Sequence, residues 1–250
     1  MSSAVMRPSI AASIAPTGVL RCGINLSNIL LVTGRTDSGV PVGVAPSMAA
    51  ALAEKLELPL QLVPYKNPGL LADAATKDEW DVGLIGAEPQ RATTIAFSQP
   101  YCEILATFLV ASSSPITSLD QVDAQGNRIA VSRRAAYCLW LENNLEHATL
   151  HPTVEPGLDL SRELYEKDGL EALAGLRPWL LEQAETKLKG SRVLDGSFTS
   201  VKQALGLPRA RADGGASLYL EQFIGEAKAS GLVERLMFEH GVQGRLSVAE

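Results

Sequence analysis

The chain has 250 residues, of which 46% are hydrophobic and 20% charged, values typical of a folded globular protein and not of a disordered or fibrous one. Its formal net charge is −6, from 22 basic and 28 acidic side chains, and the charges are spread along the sequence. This balance argues against a nucleic-acid-binding surface. No apolar stretch approaches the roughly 18–20 residues that cross a bilayer, so we expect no membrane insertion.

The first 17 residues lack the continuous apolar region of ~7–15 residues that a secretory signal requires, and we interpret them as a flexible leader. Cys22, Cys102 and Cys138 form an odd set, each in an apolar stretch, which is typical of buried free thiols. We therefore predict no disulfide framework, which favours a reducing compartment.

Short apolar runs alternate with helical patterns in the first part of the chain, which predicts the α/β class. The clearest helix has Ser47 as a candidate cap and an apolar stripe at steps of four residues, formed by Val44, Met48, Leu52 and Leu56. The predicted elements are a strand at 18–24, this helix, a strand at 60–63, a short helix at 68–76 and a strand at 81–85.

An apolar run at 100–111 is long for one strand and predicts a crossover into a second lobe. The elements predicted there are strands at 128–132, 147–153 and 170–174, and helices at 135–143, 160–167 and 178–187. The segment 192–206 then returns the chain to the first lobe, which the last helices complete. We therefore predict lobe one at 18–111 and 196–250, and lobe two at 112–195. Because such sheets bind ligands beyond the carboxyl ends of their strands, a ligand cleft is expected between the lobes.

The segment 80–101, WDVGLIGAEPQRATTIAFSQPY, resembles the family 3 (polar amino acid type) solute-binding proteins of ABC uptake systems. Those proteins have a strand ending in a small-residue loop, then an Arg, an apolar residue and Phe-Ser-x-Pro-Tyr. The resemblance extends over about 18–241. It implies the type II periplasmic-binding-protein fold, in which each lobe is a mixed sheet flanked by helices.

The resemblance also implies a function. The expected ligand is a small carboxylate-bearing solute, amino-acid-like or an organic acid, captured in the interlobe cleft by hinge closure. The implied partner is the membrane component of an ABC transporter, and a monomer without cofactor or metal is expected. The hinge strands are predicted near 107–111 and 194–198. The resemblance implies the periplasm, whereas the lack of a recognisable signal leaves the cytoplasm open.

By resemblance, Arg91 holds the ligand carboxylate, a role that suits a planar guanidinium able to make two parallel charge-assisted bonds. The loop before it, with Gly86 and Glu88, is shorter than is usual in the family and lacks the usual hydroxyls. After the strand at 170–174 the family commonly has an Asp for the ligand ammonium, and this chain has Leu176 and Arg177. Arg177 would attract a second acid, which favours a dicarboxylate or keto acid unless Glu88 replaces the missing anion.

The remaining candidates follow other predicted strands, and each could equally have a structural role. Asparagine and serine side chains after the first strand suit a polar ligand, and an aromatic after the second could shield one side of it. A pair of arginines precedes the helix at 135–143, whose start favours anions. These candidates are Asn25, Ser27, Asn28, Tyr65, Asn67, Arg133 and Arg134.

An enzyme on the same fold is the main alternative, because dehydratases resembling cyclohexadienyl dehydratase share it. Glu88, Glu103 and Lys66 are the available acid–base candidates, and nothing in the sequence marks one as catalytic. No catalytic motif with a defined mechanism is present, and the three histidines do not form a metal-binding pattern. An intracellular ligand sensor acting through a separate partner chain is the third alternative.

Overall fold

The computed structural model describes residues 10–212 and 214–250. The chain forms two compact units. Unit 1 contains the chain up to Glu103 together with Lys202–Glu250, and unit 2 is Ile104–Val201. The chain therefore passes twice from one unit to the other.

The first part of unit 1 is an alternation of strands and helices. Its elements are β1 (Leu20–Asn25), β2 (Gly34–Arg35), β3 (Pro41–Val42), α1 (Val44–Leu56), β4 (Leu60–Tyr65), α2 (Pro68–Asp73), β5 (Val82–Gly86) and the first part of β6 (Ile95–Ala111). β1 lies between β4 and β5 and is parallel to both. β2 and β3 form a small separate ribbon.

Helix α1 is confirmed at the predicted position, and its apolar stripe is buried. The prediction that Ser47 caps this helix is wrong, since the N-cap is Gly43. Gly43 has a φ of 150°, and a Cβ there would lie 2.3 Å from the Leu31 carbonyl oxygen. Only glycine fits so close a backbone approach. The Ser47 hydroxyl instead hydrogen-bonds to His240 Nε2 at 2.8 Å.

A buried cluster beneath β5 holds unit 1 together. It contains Leu71, Ala74, Ala75, Trp80, Ile85 and Ile95. The Trp80 ring is fully buried, and its Nε1 donates to the Leu71 carbonyl oxygen at 3.0 Å, so the one polar atom of the ring is satisfied.

Unit 2 repeats the alternation on a smaller scale, as the sequence predicts. Its elements are the last part of β6, β7 (Arg128–Val131), α3 (Ala136–Asn144), β8 (Thr149–Pro152), α4 (Leu158–Asp168), β9 (Ala172–Leu176), α5 (Arg177–Thr186) and β10 (Ser191–Val193). β7 is parallel to both β8 and β9, whereas β9 is antiparallel to β6. The sheet packs on a cluster that includes Leu173, Trp179 and Leu180.

The chain returns to unit 1 through β11 (Thr199–Pro208), which pairs antiparallel with β5. It ends in α6 (Gly214–Ala229), α7 (Leu232–Glu239) and β12 (Ser247–Val248), and β12 pairs with β6 at Cys102 and Glu103. None of the helices within the described ranges is long and apolar enough to span a membrane. The expected burial of all three cysteines as free thiols is confirmed.

Each unit has its own arginine–carboxylate pair, here called a staple. It joins the starts of two adjacent parallel strands, β1 and β5 in unit 1 and β7 and β9 in unit 2. In unit 1, Arg21 donates from its backbone amide and its guanidinium to Asp81, while the Asp81 amide donates to the Arg21 carbonyl oxygen at 2.8 Å. In unit 2, Arg128 and Glu171 make the same set of bonds. Burial alone would raise the pKa of Asp81, but the bonds from Arg21 and Arg211 outweigh it and lower that pKa.

Candidate functional site

In unit 1, three strands end at one edge of the sheet. Asn25 lies opposite Tyr65 in the parallel β1–β4 register, and Ile24 lies opposite Leu84 in the β1–β5 register. The loops that follow β1, β4 and β5 therefore emerge side by side. This edge brings together the unit 1 residues predicted to bind ligand.

Arg91 lies in the 3₁₀ turn Arg91–Thr93, soon after β5, and is only 5% exposed. Its Nη1 donates to the Gly86 carbonyl oxygen at 2.8 Å, and its amide donates to the Glu88 carbonyl oxygen at 3.0 Å. Both bonds fold the loop 86–91 back on itself. A buried guanidinium is costly unless anions or dipoles surround it, and a carbonyl dipole fixes its position without cancelling its charge.

Glu88 is half-buried in this loop. Its burial raises the pKa of its carboxyl group, and the charge of Arg91 opposes that rise without reversing it. A carboxyl group that protonates more readily than usual can both donate and accept a hydrogen bond. The neutral form of Glu88 is therefore more accessible than that of an exposed glutamate.

The loop after β1 is shaped by its own side chains. Asn25 Oδ1 accepts bonds from the Ser27 amide at 3.1 Å and from the Ser27 hydroxyl at 2.9 Å. Asn28 is buried, and its Oδ1 accepts from the Leu30 amide at 3.2 Å. Because these amide oxygens are used inside the loop, a contact with ligand would fall to the side-chain nitrogens of Asn25 and Asn28.

Tyr65 and Asn67, after β4, each have a structural partner. The Tyr65 hydroxyl donates to Glu79 Oε2 at 2.8 Å, and burial together with this bond raises its pKa. Its ring packs against the Trp80 cluster. Asn67 caps α2 by accepting the Leu70 amide at 2.9 Å. The prediction that these two residues line a ligand site stays a prediction.

In unit 2, the ends of β7 and β8 are tied to each other. The amide and the Nε of Arg133 donate to the hydroxyl and the carbonyl oxygen of Thr153, both at 3.0 Å. The Ser132 hydroxyl accepts from the Gly157 amide at 3.0 Å. Arg134 has a left-handed φ of 60°, and helix α3 begins beyond it without a side-chain cap. Sequence analysis did not single out Thr153, although its place as the last residue of a predicted strand is a usable signal.

Arg177 is the first residue of α5, directly after β9. Its Nη1 donates to the carbonyl oxygens of Leu194 at 2.7 Å and Gly196 at 3.2 Å, and its Nη2 lies 3.9 Å from the carboxylate of Asp195. These contacts tie Arg177 to the segment that precedes β11. Its predicted attraction of a second acid stays a prediction.

Beside this segment, three aromatic rings of unit 2 meet, and no sequence pattern indicates the contact because the residues lie far apart in the chain. The ring of Phe198 is 4.5 Å from that of Phe108 and 5.3 Å from that of Trp140, measured between centroids. No group of three or more His, Cys, Asp or Glu side chains that could hold a metal ion lies within residues 10–212 and 214–250.

The model of the bacterial extracellular solute-binding proteins, family 3, matches residues 20–240. The chain therefore belongs to this family, as its sequence predicts. The family is defined by solute binding and not by catalysis, which agrees with the expectation of a non-enzymatic protein. No curated protein sequence matches the chain.

Three solved structures with closely similar folds cover most of both chains. The binding component of an ABC transporter from Wolinella succinogenes, complexed with lysine, is 17% identical with a TM-score of 0.72, over 89% of this chain and 95% of that one. The amino acid ABC transporter substrate-binding protein AbpA from Streptococcus pneumoniae, bound to L-arginine, is 18% identical with a TM-score of 0.71, over 91% and 96%.

The third structure is an ancestral amino acid-binding protein described as a precursor of cyclohexadienyl dehydratase. It is 19% identical with a TM-score of 0.71, over 92% of this chain and 98% of that one. Together with the family match, these structures confirm the predicted type II periplasmic-binding-protein fold.

Proposed function

We propose that this protein binds a small carboxylate-bearing solute, amino-acid-like or an organic acid, through the loops at its strand ends, and delivers it to the membrane component of an ABC uptake system. Hinge closure is the capture step. Membership of a solute-binding family supports the binding role, and the ABC transporter proteins among the structural neighbours support the partner.

The observation that carries the ligand class is Arg91, a charged side chain that is 5% exposed at the strand-end edge of unit 1. Its bond to the Gly86 carbonyl oxygen orients the guanidinium. A preoriented guanidinium offers a carboxylate two parallel bonds with little loss of side-chain entropy on binding. Arg91 is thus the proposed carboxylate receptor.

Arginines at the starts of strands and arginines at the ends of strands have different partners. At the starts, Arg21 and Arg128 are paired with carboxylates, so their charge is neutralised. At the ends, Arg133 and Arg177 donate to backbone carbonyl oxygens, as Arg91 does. Arg177 also lies 3.9 Å from the exposed carboxylate of Asp195. The positive charge of these arginines favours an anion at the strand-end loops.

The test is a thermal-shift screen of common amino acids and small mono- and dicarboxylates, with Arg91→Ala in parallel. A ligand at a hundredfold excess over its Kd stabilises the folded state by about 2.7 kcal/mol, or roughly 5–10 °C in Tm for a chain of this size. Loss of both carboxylate bonds should weaken binding at least about a hundredfold, since each charge-assisted bond contributes ~1.5–3 kcal/mol.

Arg209→Ala is the matched control. Arg209 also donates to backbone carbonyl oxygens in unit 1, those of Ala92 at 2.8 Å and Ile95 at 3.3 Å, and it is exposed. Arg209→Ala should keep the ligand response that Arg91→Ala loses. Equal responses in both variants would remove Arg91 from the site, and a dicarboxylate preference would support the second acid predicted at Arg177.

A dehydratase-like reaction is the second candidate, favoured by the raised pKa of Glu88 beside Arg91. A raised pKa favours the protonated carboxyl group, which is the form that can act as a general acid toward a leaving hydroxyl. Mass spectrometry of each hydroxy acid that binds would reveal the loss of water. If this candidate is correct, Glu88→Gln abolishes the loss and retains binding.

A further inference from the structure

Each unit has one strand that is paired on one side only. Among the strands within residues 10–212 and 214–250, β4 pairs with β1 alone and β8 pairs with β7 alone. The other side of each strand therefore presents backbone groups that no described strand uses. A free edge of this kind can pair with a strand of a second molecule, which is a common route to aggregation.

The hydrogen bonds of β4 show which of its residues face the free side. The Leu20 amide donates to the Pro59 carbonyl oxygen at 2.8 Å, and the Leu26 amide donates to the Tyr65 carbonyl oxygen at 2.9 Å. Since the backbone groups of alternate residues point to the same side of a strand, the odd-numbered residues of β4 face β1 and the even-numbered residues face away from it. The outward positions are Leu60, Leu62 and Pro64.

The same rule places a proline on the free side of β8. The Thr149 amide donates to the Asn127 carbonyl oxygen at 2.8 Å, and the Thr153 amide donates to the Val131 carbonyl oxygen at 3.0 Å. The outward positions are Leu150 and Pro152. A proline has no amide hydrogen to donate, and at an outward position this costs no bond within the sheet.

β4 is the edge with the greater tendency to self-associate. It lies in the uncharged segment 58–65, LPLQLVPY, and uncharged apolar segments of about six residues pair readily when their edge is free. Two copies related by a two-fold axis would pair this edge antiparallel, and with Leu62 opposite its own copy, Pro64 lies opposite Leu60. Pro64 then removes a ladder bond, and its ring meets the Leu60 carbonyl oxygen.

We propose that Pro64 prevents the free edge of β4 from pairing with a second copy of this chain, and that Pro152 does the same at the edge of β8. β8 has only four residues, so its edge is the weaker of the two. This inference concerns self-association and goes beyond the proposed function. It supplies a physical reason for the monomer that the family resemblance implies.

The test is Pro64→Val, which places a strand-forming residue with an amide hydrogen at the same outward position. Sedimentation equilibrium over a range of protein concentrations measures dimer formation. The association constant should rise at least about tenfold over that of the wild type, because each copy regains a ladder hydrogen bond and loses a steric block. Pro64→Thr, with the same amide and a polar side chain, should behave alike.

Amide hydrogen exchange locates the contact. The outward amides of Leu60 and Leu62 should become protected in associated Pro64→Val and exchange freely in the wild type. Pro152→Val should raise the association constant by a smaller factor, because β8 is shorter, and should protect the Leu150 amide. Circular dichroism confirms that each variant is folded.

Gln61→Val is the matched control. Gln61 lies in the same strand and is exposed, as Pro64 is, but its amide faces β1. The control therefore adds the same apolar side chain to β4 without adding an outward amide hydrogen. It should associate no more than the wild type does.

Folded Pro64→Val and Pro64→Thr that associate no more than the wild type would overturn the proposal for β4. Equal association in Gln61→Val would also overturn it, because apolar surface would then be the cause. Association of Pro64→Val without protection at Leu60 and Leu62 would show that the contact lies elsewhere, with the same consequence. Unchanged association in Pro152→Val would remove β8 from the proposal. These measurements need no ligand, so their failure is distinguishable from a failure of the solute screen.

Discussion

The substitution Asp81→Asn should destabilise unit 1 far more than Glu171→Gln destabilises unit 2, although both residues occupy the same place in their sheets. The Asp81 carboxylate is fully buried and accepts three bonds from Arg21 and one from Arg211, at 2.7–3.1 Å. An amide in its place would leave Arg21 and Arg211 with the exposed carboxylate of Asp78 as their remaining partner, at 2.9 and 3.5 Å.

The magnitude follows from the burial of the partners. Removing one member of a buried ion pair costs about 3–5 kcal/mol, because the remaining charge stays buried. The side chains of Arg21 and Arg211 are 17% and 25% exposed, so solvent screens part of this loss. We expect a loss of about 2–4 kcal/mol in the free energy of unfolding, or roughly 4–16 °C in Tm.

Glu171→Gln is the internal comparison. The side chains of Arg128 and Glu171 are 39% and 32% exposed, so water can replace much of their attraction. We expect a clearly smaller loss in unit 2. Chemical denaturation gives the free energy of unfolding, and hydrogen exchange of the β1 and β5 amides against those of β7 and β9 assigns the loss to one unit. Equal losses in the two variants would refute the dependence on burial.

Two further predictions concern acid stability and the start of α1. The pKa of Asp81 is lowered in the folded state, so its ionised carboxylate stabilises the fold above its ordinary pKa of about 3.9, and this stabilisation is lost as the pH falls through the folded pKa. The Tm of the wild type should therefore drop more steeply than that of Asp81→Asn between about pH 5 and pH 2. Parallel curves of Tm against pH would contradict this. Gly43→Ala should lower the free energy of unfolding, measured by chemical denaturation, by at least ~3 kcal/mol, because its Cβ would lie 2.3 Å from the Leu31 carbonyl oxygen. Gly231→Ala is the control, with a φ of 71° and open space around it, and should lower it by only ~1–2 kcal/mol. Similar losses in the two variants would show that the contact at Gly43 relaxes freely.

Local patterns were sufficient to predict most helices and strands. The apolar stripe of α1 repeats at steps of four residues, and β5 is a short apolar run bounded by Asp81 and the small residues after Gly86. Such patterns depend only on neighbours in the chain, so they can be recognised before the fold is known. The long apolar run at 100–111 belongs to a single strand, β6, which begins earlier, at Ile95.

Contacts between distant residues could not be predicted in this way. Ser47 has a good position for a helix cap, but its hydroxyl meets His240, nearly two hundred residues later in the chain. The two staples have the same limitation, since Arg21 and Asp81 are 60 residues apart. The sequence also cannot show that Asn67 and Arg177 have backbone partners, because the same residue types suit a ligand equally well.

The motif around Arg91 is the part of the site that sequence analysis could locate, because a loop that folds back on itself is encoded locally. The bonds from Arg91 to Gly86 and Glu88 span five and three residues, so the spacing in the motif is also the spacing of the contacts. Glu88 and Arg91 are held in one short loop, and any change that shifts one shifts the other. Glu88→Gln keeps the backbone bonds and removes the ionisable group. It therefore tests the effect of the Glu88 charge on ligand binding without altering the loop conformation, which a substitution of Gly86 could not do. A ligand that carries an ammonium group should bind the Glu88→Gln variant less tightly, whereas a dicarboxylate should bind it as tightly or more so, since the repulsion from Glu88 is gone.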